Sequence, residues 1–177
     1  MKIGTTILLG LFGLLFLPAV CRALDPLQSA HGRVTVLAFV RTDCPISSRY
    51  APILQSLATK YSGRTNFWLI FPQPRLSVTA LRKYQRAYGY KLPAWRDPLL
   101  KLAKRSQATV TPEVAVFDAS GGLVYHGRID DSQISFGQTR PAPTTHELAD
   151  AIESAIAGKH LAVSSTIAVG CYIADLR

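Results

Sequence analysis

The chain has 177 residues, 48% of them apolar and 18% charged, with 12 glycines and 11 prolines, the composition of one globular domain. That balance excludes a disordered chain, a collagen and a coiled-coil rod, and three cysteines are too few for a disulfide-stapled mini-scaffold. The net charge of +9 comes with no nucleic-acid-binding motif, so no nucleic-acid partner is expected.

Residues 1–23 stand apart. Lys2 precedes an uncharged run from Ile3 to Val20, and Cys21-Arg22-Ala23 then puts small residues at the −3 and −1 positions of a cleavage site. These features predict a secretory signal peptide cut after Ala23. The rival is an uncleaved anchor, because a run of that length reaches the lower limit for a membrane span; Gly10, Gly13 and Pro18 dilute it and favour cleavage. An uncleaved anchor would be the one membrane attachment. The protein is therefore expected to be exported, periplasmic or extracellular, with one domain over residues 24–177. Only Cys44 and Cys171 survive cleavage, in a compartment where they can oxidise to each other.

Residues 34–40, almost unbroken in apolar character, predict a strand covered on both faces. Ile46, Tyr50, Ile53, Leu54, Leu57, Ala58 and Tyr61 form the stripe of a helix ending near Gly63 and kinked at Pro52. Residues 67–71 predict a second buried strand, closed by Pro72 and Pro74. Val78, Leu81, Tyr84 and Tyr88 mark a helix ended by Gly89, and Asp97-Pro98 opens a short helix over 98–105. The basic residues from Arg82 to Arg105 face a single acid, Asp97, and are expected to form a solvated surface. Strands over 113–117 and 123–126 flank a turn and predict a hairpin. Thr144 as N-cap with Glu147 as its capping-box partner opens the last helix, which Gly158 ends. The tail, residues 158–177, has no helical period and reads as an extended segment laid on the body. This order predicts an α/β fold, a central mixed sheet with helices on both faces.

Cys44 follows a strand and precedes Pro45, so its sulfur is expected at an exposed corner, at the positive end of a helix. Arg41 and Arg49 would add to the stabilisation of a thiolate and Asp43 would oppose it. The tetrapeptide Cys44-Pro45-Ile46-Ser47 carries no second thiol one turn on, so the internal candidate to resolve a mixed disulfide or a sulfenic acid on Cys44 is Cys171, unless that residue is a small buried hydrophobe. Gly170 would let the backbone approach closely there. Arg128 and Asp130 suggest a structural ion pair. A Cu(I) site of Cys44 and Cys171 joined by His126 is a rival from a different class, although no paired-cysteine or histidine spacing supports a metal.

Asp43-Cys44-Pro45, Thr111-Pro112-Glu113, the stretch from Tyr125 to Asp131 and the tail Val169-Gly170-Cys171-Tyr172-Ile173, in that order, resemble the peroxiredoxin-like redoxin branch of the thioredoxin superfamily. The resemblance implies a thioredoxin-like fold with Cys44 as the redox-active cysteine. It also implies a cis bond before Pro112 and a Thr111 backbone that faces the cysteine and pairs with an extended substrate segment. A peroxiredoxin carries Pro-x-x-x-Thr-x-x-Cys; here Leu37 and Arg41 occupy the proline and threonine positions. The expected activity is that of a thiol–disulfide oxidoreductase acting on protein or small-molecule thiols and disulfides, with peroxide reduction as the near alternative and no cofactor.

Overall fold

The computed structural model describes residues 25–30 and 32–173, so the predicted signal peptide lies outside the described residues. The first apolar run forms β1 (Val34–Phe39), buried at every residue. The helix expected over 46–61 is two helices, α1 (Pro45–Arg49) and α2 (Ala51–Lys60), meeting at Tyr50. The break has a simple cause: it moves Pro52 from a helix interior into a first turn, where the missing N–H leaves no bond unmade. β2 (Thr65–Phe71) and α3 (Val78–Ala87) follow, the latter capped by the Ser77 hydroxyl, which accepts from Ala80 N at 3.1 Å. A three-residue strand, β3 (Ala94–Arg96), has no counterpart in the sequence reading, being too short to show a period. α4 (Lys101–Arg105) starts later than expected, after Leu100, yet Asp97 still ties its start: the carboxylate accepts from Lys101 N and Ala103 N, both at 2.9 Å. The remaining elements are β4 (Val110–Thr111), β5 (Glu113–Phe117), β6 (Leu123–Gly127), β7 (Gln133–Ser135), β8 (Gln138–Thr139), α5 (Glu147–Ile156) and β9 (Cys171–Tyr172).

Five strands make the main sheet in the order β3-β2-β1-β5-β6. β1 lies at its centre, parallel to β2 and antiparallel to β5, and β5 and β6 form the expected hairpin. The two-residue period of β1 sorts its side chains between two cores. Val36 and Ala38 pack with Leu54 of α2 and Leu148 and Ile152 of α5, whereas Leu37 and Phe39 pack with Leu102 and Ala103 of α4. Each of these large side chains is fully or nearly fully buried and contributes about 1.5–3 kcal/mol relative to exposure. The expected sheet with helices on both faces is thus observed.

Two local expectations are corrected. α5 is not opened by a Thr144–Glu147 capping box: Thr144 donates its N–H and hydroxyl to Asp131, and His146 is the N-cap. Arg128 pairs with Glu147, while Asp130 accepts from Tyr50 Oη at 2.8 Å, so Arg128 and Asp130 are not partners. Both follow from docking the start of α5 onto the segment after β6, where Leu148 N donates to Ile129 O at 3.1 Å and acids and bases exchange partners across the joint. The basic side chains of α3 and α4 are exposed, as expected of a solvated surface. Among the described residues no helix is long and apolar enough to cross a membrane.

Candidate active site: two cysteines under the tail strand

β1 runs out at Phe39, and a short loop delivers Cys44 to the N-cap of α1 in an extended conformation, φ −101° and ψ 112°, with its carbonyl accepting from Ser48 N at 3.2 Å. Opposite this corner lies β4, whose Thr111 precedes Pro112 through a cis peptide bond. The Cys44 thiol donates to the Thr111 carbonyl at 3.0 Å.

The tail brings in the second thiol. Ser165 bridges His126, Thr166 N donates to His126 O at 3.1 Å, and Tyr125 Oη lies 2.7 Å from Thr166 Oγ1. Gly127 makes this approach possible, since a Cβ there would strike Thr166. Farther on, β9 pairs antiparallel with β4, setting Tyr172 against Val110 and Cys171 against Thr111. Ile173 N donates to Thr109 O at 3.0 Å, Thr111 Oγ1 to Cys171 O at 3.3 Å, and Arg41 Nη1 to Tyr172 O at 2.7 Å. Gly170 meets the demand of closest approach: a Cβ there would fall on the Thr111 carbonyl, with Pro112 N only 3.2 Å away. The result is that Cys171 Sγ stands 2.7 Å from Cys44 Sγ, both as free thiols.

No family model and no curated protein matches the chain. Solved structures do. An uncharacterized conserved protein from Geobacillus kaustophilus is 26% identical with a TM-score of 0.68, the match covering 80% of this chain and 77% of that one. A thioredoxin-like protein solved in its oxidized form has a TM-score of 0.56 at 16% identity, over 77% of this chain and 86% of that one. A secreted Mycobacterium tuberculosis disulfide oxidoreductase, described as homologous to E. coli DsbE, has a TM-score of 0.52 at 20% identity, over 71% and 84% of the two chains. The fold is thioredoxin-like.

Within this thioredoxin-like fold the two thiols are unequal. Burial pushes the Cys44 thiol up, but hydrogen bonds from the side chains of Cys171 and Ser47, and from the backbone of both residues, outweigh it and hold the pKa below the ordinary thiol value. Cys171 is pushed up to about 11, first by burial and then by its hydrogen bond to Cys44 and the charge there. The arrangement favours a Cys44 thiolate that accepts from a Cys171 thiol.

Ser47, marked in the sequence only as the residue that replaces a second cysteine, is fully buried, accepts from Arg41 N at 3.4 Å and is one of the groups that lower the Cys44 pKa. Its place one helical turn after Cys44 was the available signal. Of the two arginines, Arg41 feels the Cys44 charge as expected and Arg49 turns elsewhere. Arg41 is held by Asp43 at 3.0 and 2.8 Å, and its charge lowers the pKa of Cys171; Arg49 reaches instead to Gln133 Oε1 at 3.3 Å.

The expectation of an exposed Cys44 is overturned. Its relative exposure is 1%, because β9 lies across the corner, and the half-buried Cys171 is the sulfur nearer to solvent. The substrate-pairing edge implied for Thr111 and Pro112 is taken up by the chain's own tail. His126 does not join the sulfurs: its Nδ1 lies 3.5 Å from Glu113 Oε1, and among the described residues no three His, Cys, Asp or Glu side chains are grouped to hold a metal.

Proposed function

We propose that this thioredoxin-like protein is an exported thiol–disulfide oxidoreductase in which Cys44 and Cys171 cycle between dithiol and disulfide. The observation that carries the reading is the meeting of two sulfurs at 2.7 Å across 127 residues of chain. A glycine admits that contact and a dedicated strand pairing holds it. The activity described for the mycobacterial neighbour is of the same class. Export rests on the signal-peptide features of residues 1–23.

In the reducing direction the Cys44 thiolate attacks a substrate disulfide, forming a mixed disulfide and expelling one substrate thiolate. Cys171 then attacks Cys44 Sγ, the second substrate thiolate leaves, and two electrons have passed from the dithiol to the substrate. Thr111 and Pro112 act as the substrate-binding edge: when β9 lifts away, the Thr111 backbone is free to pair with an extended segment carrying the target sulfur.

The test is a non-reducing peptide map combined with turnover of a disulfide-bonded peptide. After mild oxidation the purified domain should yield a linked Cys44–Cys171 peptide, and Cys44→Ser and Cys171→Ser should each lower turnover at least about a hundredfold. Absence of the linked peptide, or full activity in Cys44→Ser, would overturn the proposal.

A further inference from the structure

Where the tail strand ends lies a cavity of about 650 Å³ that the redox chemistry above leaves unused, lined by Arg41, Gln73, Arg75, Leu76, Ser77 and Ile173 among others. It adjoins the tail strand from two sides. Ile173, next but one after Cys171, forms one wall, and Arg41, which anchors Tyr172 O at 2.7 Å, forms another. Among the described residues no acidic side chain lines it. The Arg41 charge is matched by Asp43, whereas Arg75 is exposed and has no ion-pair partner among the described residues. Among the described residues the cavity therefore keeps one unmatched positive charge at its rim, and its volume falls in the range of small-molecule pockets.

From this geometry we infer that the cavity is the binding site of a small anionic thiol, which reduces the protein's disulfide by attacking Cys171 and not Cys44. The inference rests on the disulfide cycle proposed above and names its small-molecule reductant by class. Access decides the point of attack: Cys44 is 1% exposed, Cys171 is half-buried, and the cavity is walled by Ile173, two residues past Cys171, and by Arg41, which holds the Tyr172 carbonyl. Leaving-group chemistry agrees, because expulsion of the more acidic Cys44 thiol is the faster route. A thiolate RS⁻ attacks Cys171 Sγ; the S–S bond breaks with its electron pair on Cys44 Sγ, and a Cys171–S–S–R bond forms. A second RS⁻ attacks the R-side sulfur, releasing RSSR and a Cys171 thiolate that takes a proton from solvent. Two small thiols are oxidised to one disulfide, and the protein disulfide is reduced to two thiols. The anionic part of R would sit against Arg75.

Three small thiols of one size separate the possibilities: 2-mercaptoethanesulfonate, 2-mercaptoethanol and cysteamine, with rates referred to thiolate concentration. Oxidised wild-type protein should be reduced fastest by the sulfonate and slowest by the amine, with a spread of at least about tenfold at low ionic strength. Rapid acid quenching and peptide mapping should find the sulfonate adduct on Cys171. Arg75→Glu should abolish or reverse the order. Arg82→Glu makes the same charge change on α3 but lines a different cavity, with Trp95 and Arg96, and should preserve the order. An adduct on Cys44, equal rates for the three thiols, or an equal loss of preference in both variants would overturn the inference. Failure of the wild-type protein to form the Cys44–Cys171 disulfide at all would remove the proposed function, and the inference with it.

Discussion

Cys44 and Cys171 differ in acidity because burial raises both, and at Cys44 alone hydrogen bonds from Cys171 and Ser47 outweigh it. Cys44 collects them, from Cys171 and Ser47, and sits below the ordinary thiol value; Cys171 gives one and is pushed up to about 11. In the reduced protein, labelling of Cys44 by a small alkylating agent should therefore rise at a pH below that of a free thiol, and labelling of Cys171 only near pH 11. Ser47→Ala removes one donor to the thiolate, and a hydrogen bond to a charged group is worth about 1.5–3 kcal/mol, so the Cys44 midpoint should move up by about one to two pH units. pH-resolved mass mapping checks both statements, and two midpoints that coincide at the ordinary thiol value would contradict them. At this scale the strand-to-helix position of Cys44 left a local mark, whereas the cis bond before Pro112 and the facing of Thr111 towards the cysteine were legible only through the resemblance, and Gly170-Cys171 offered a close approach without fixing its target. The burial of Cys44 left no mark, since it arises only when a segment from the far end of the chain covers the corner.

Among the elements, the tail strand carries the most consequence for its size. Two residues of β9 place the second sulfur, and the fit depends on Gly170 having no side chain. Gly170→Ala should lift β9 from Thr111 at a cost of roughly 1–3 kcal/mol, the range for forcing a methyl group into a packed contact. The expected readouts are alkylation of Cys44 at least about tenfold faster and a lower effective concentration of Cys171 towards Cys44, measured against a thiol–disulfide buffer. Unchanged alkylation would show that the close contact does not seal the corner. Strands β1, β2, β5 and β6 and helices α3 and α5 could be read from period and punctuation. β3, β4 and β7 to β9 could not, because two or three residues show no period and their pairing is decided by partners distant in sequence. The break between α1 and α2 was signalled by Pro52, which ended one helix and began another where a kink had been expected.

For the molecule as a whole, the order of elements was enough to predict a mixed sheet clothed on both faces, since the apolar run of β1 demanded cover on each side and the hairpin fixed the antiparallel half. The exchange of partners where α5 docks was out of reach, because it depends on how two loops meet in space. The proposed Cys44–Cys171 disulfide would join the first strand-to-helix corner to the last strand, closing a loop of 127 residues. Chain entropy assigns such a closure about 5 kcal/mol, so the oxidised domain should melt some ten degrees or more above the reduced one in calorimetry run with and without reductant. Equal melting temperatures would contradict this. By thermodynamic linkage the same free energy makes the bond several thousandfold easier to close in the native domain than in the unstructured polymer. With the proposed disulfide formed, the clasp would therefore proofread maturation: molecules that have arranged their whole length would lock themselves, and those that have not would stay open to any passing reductant.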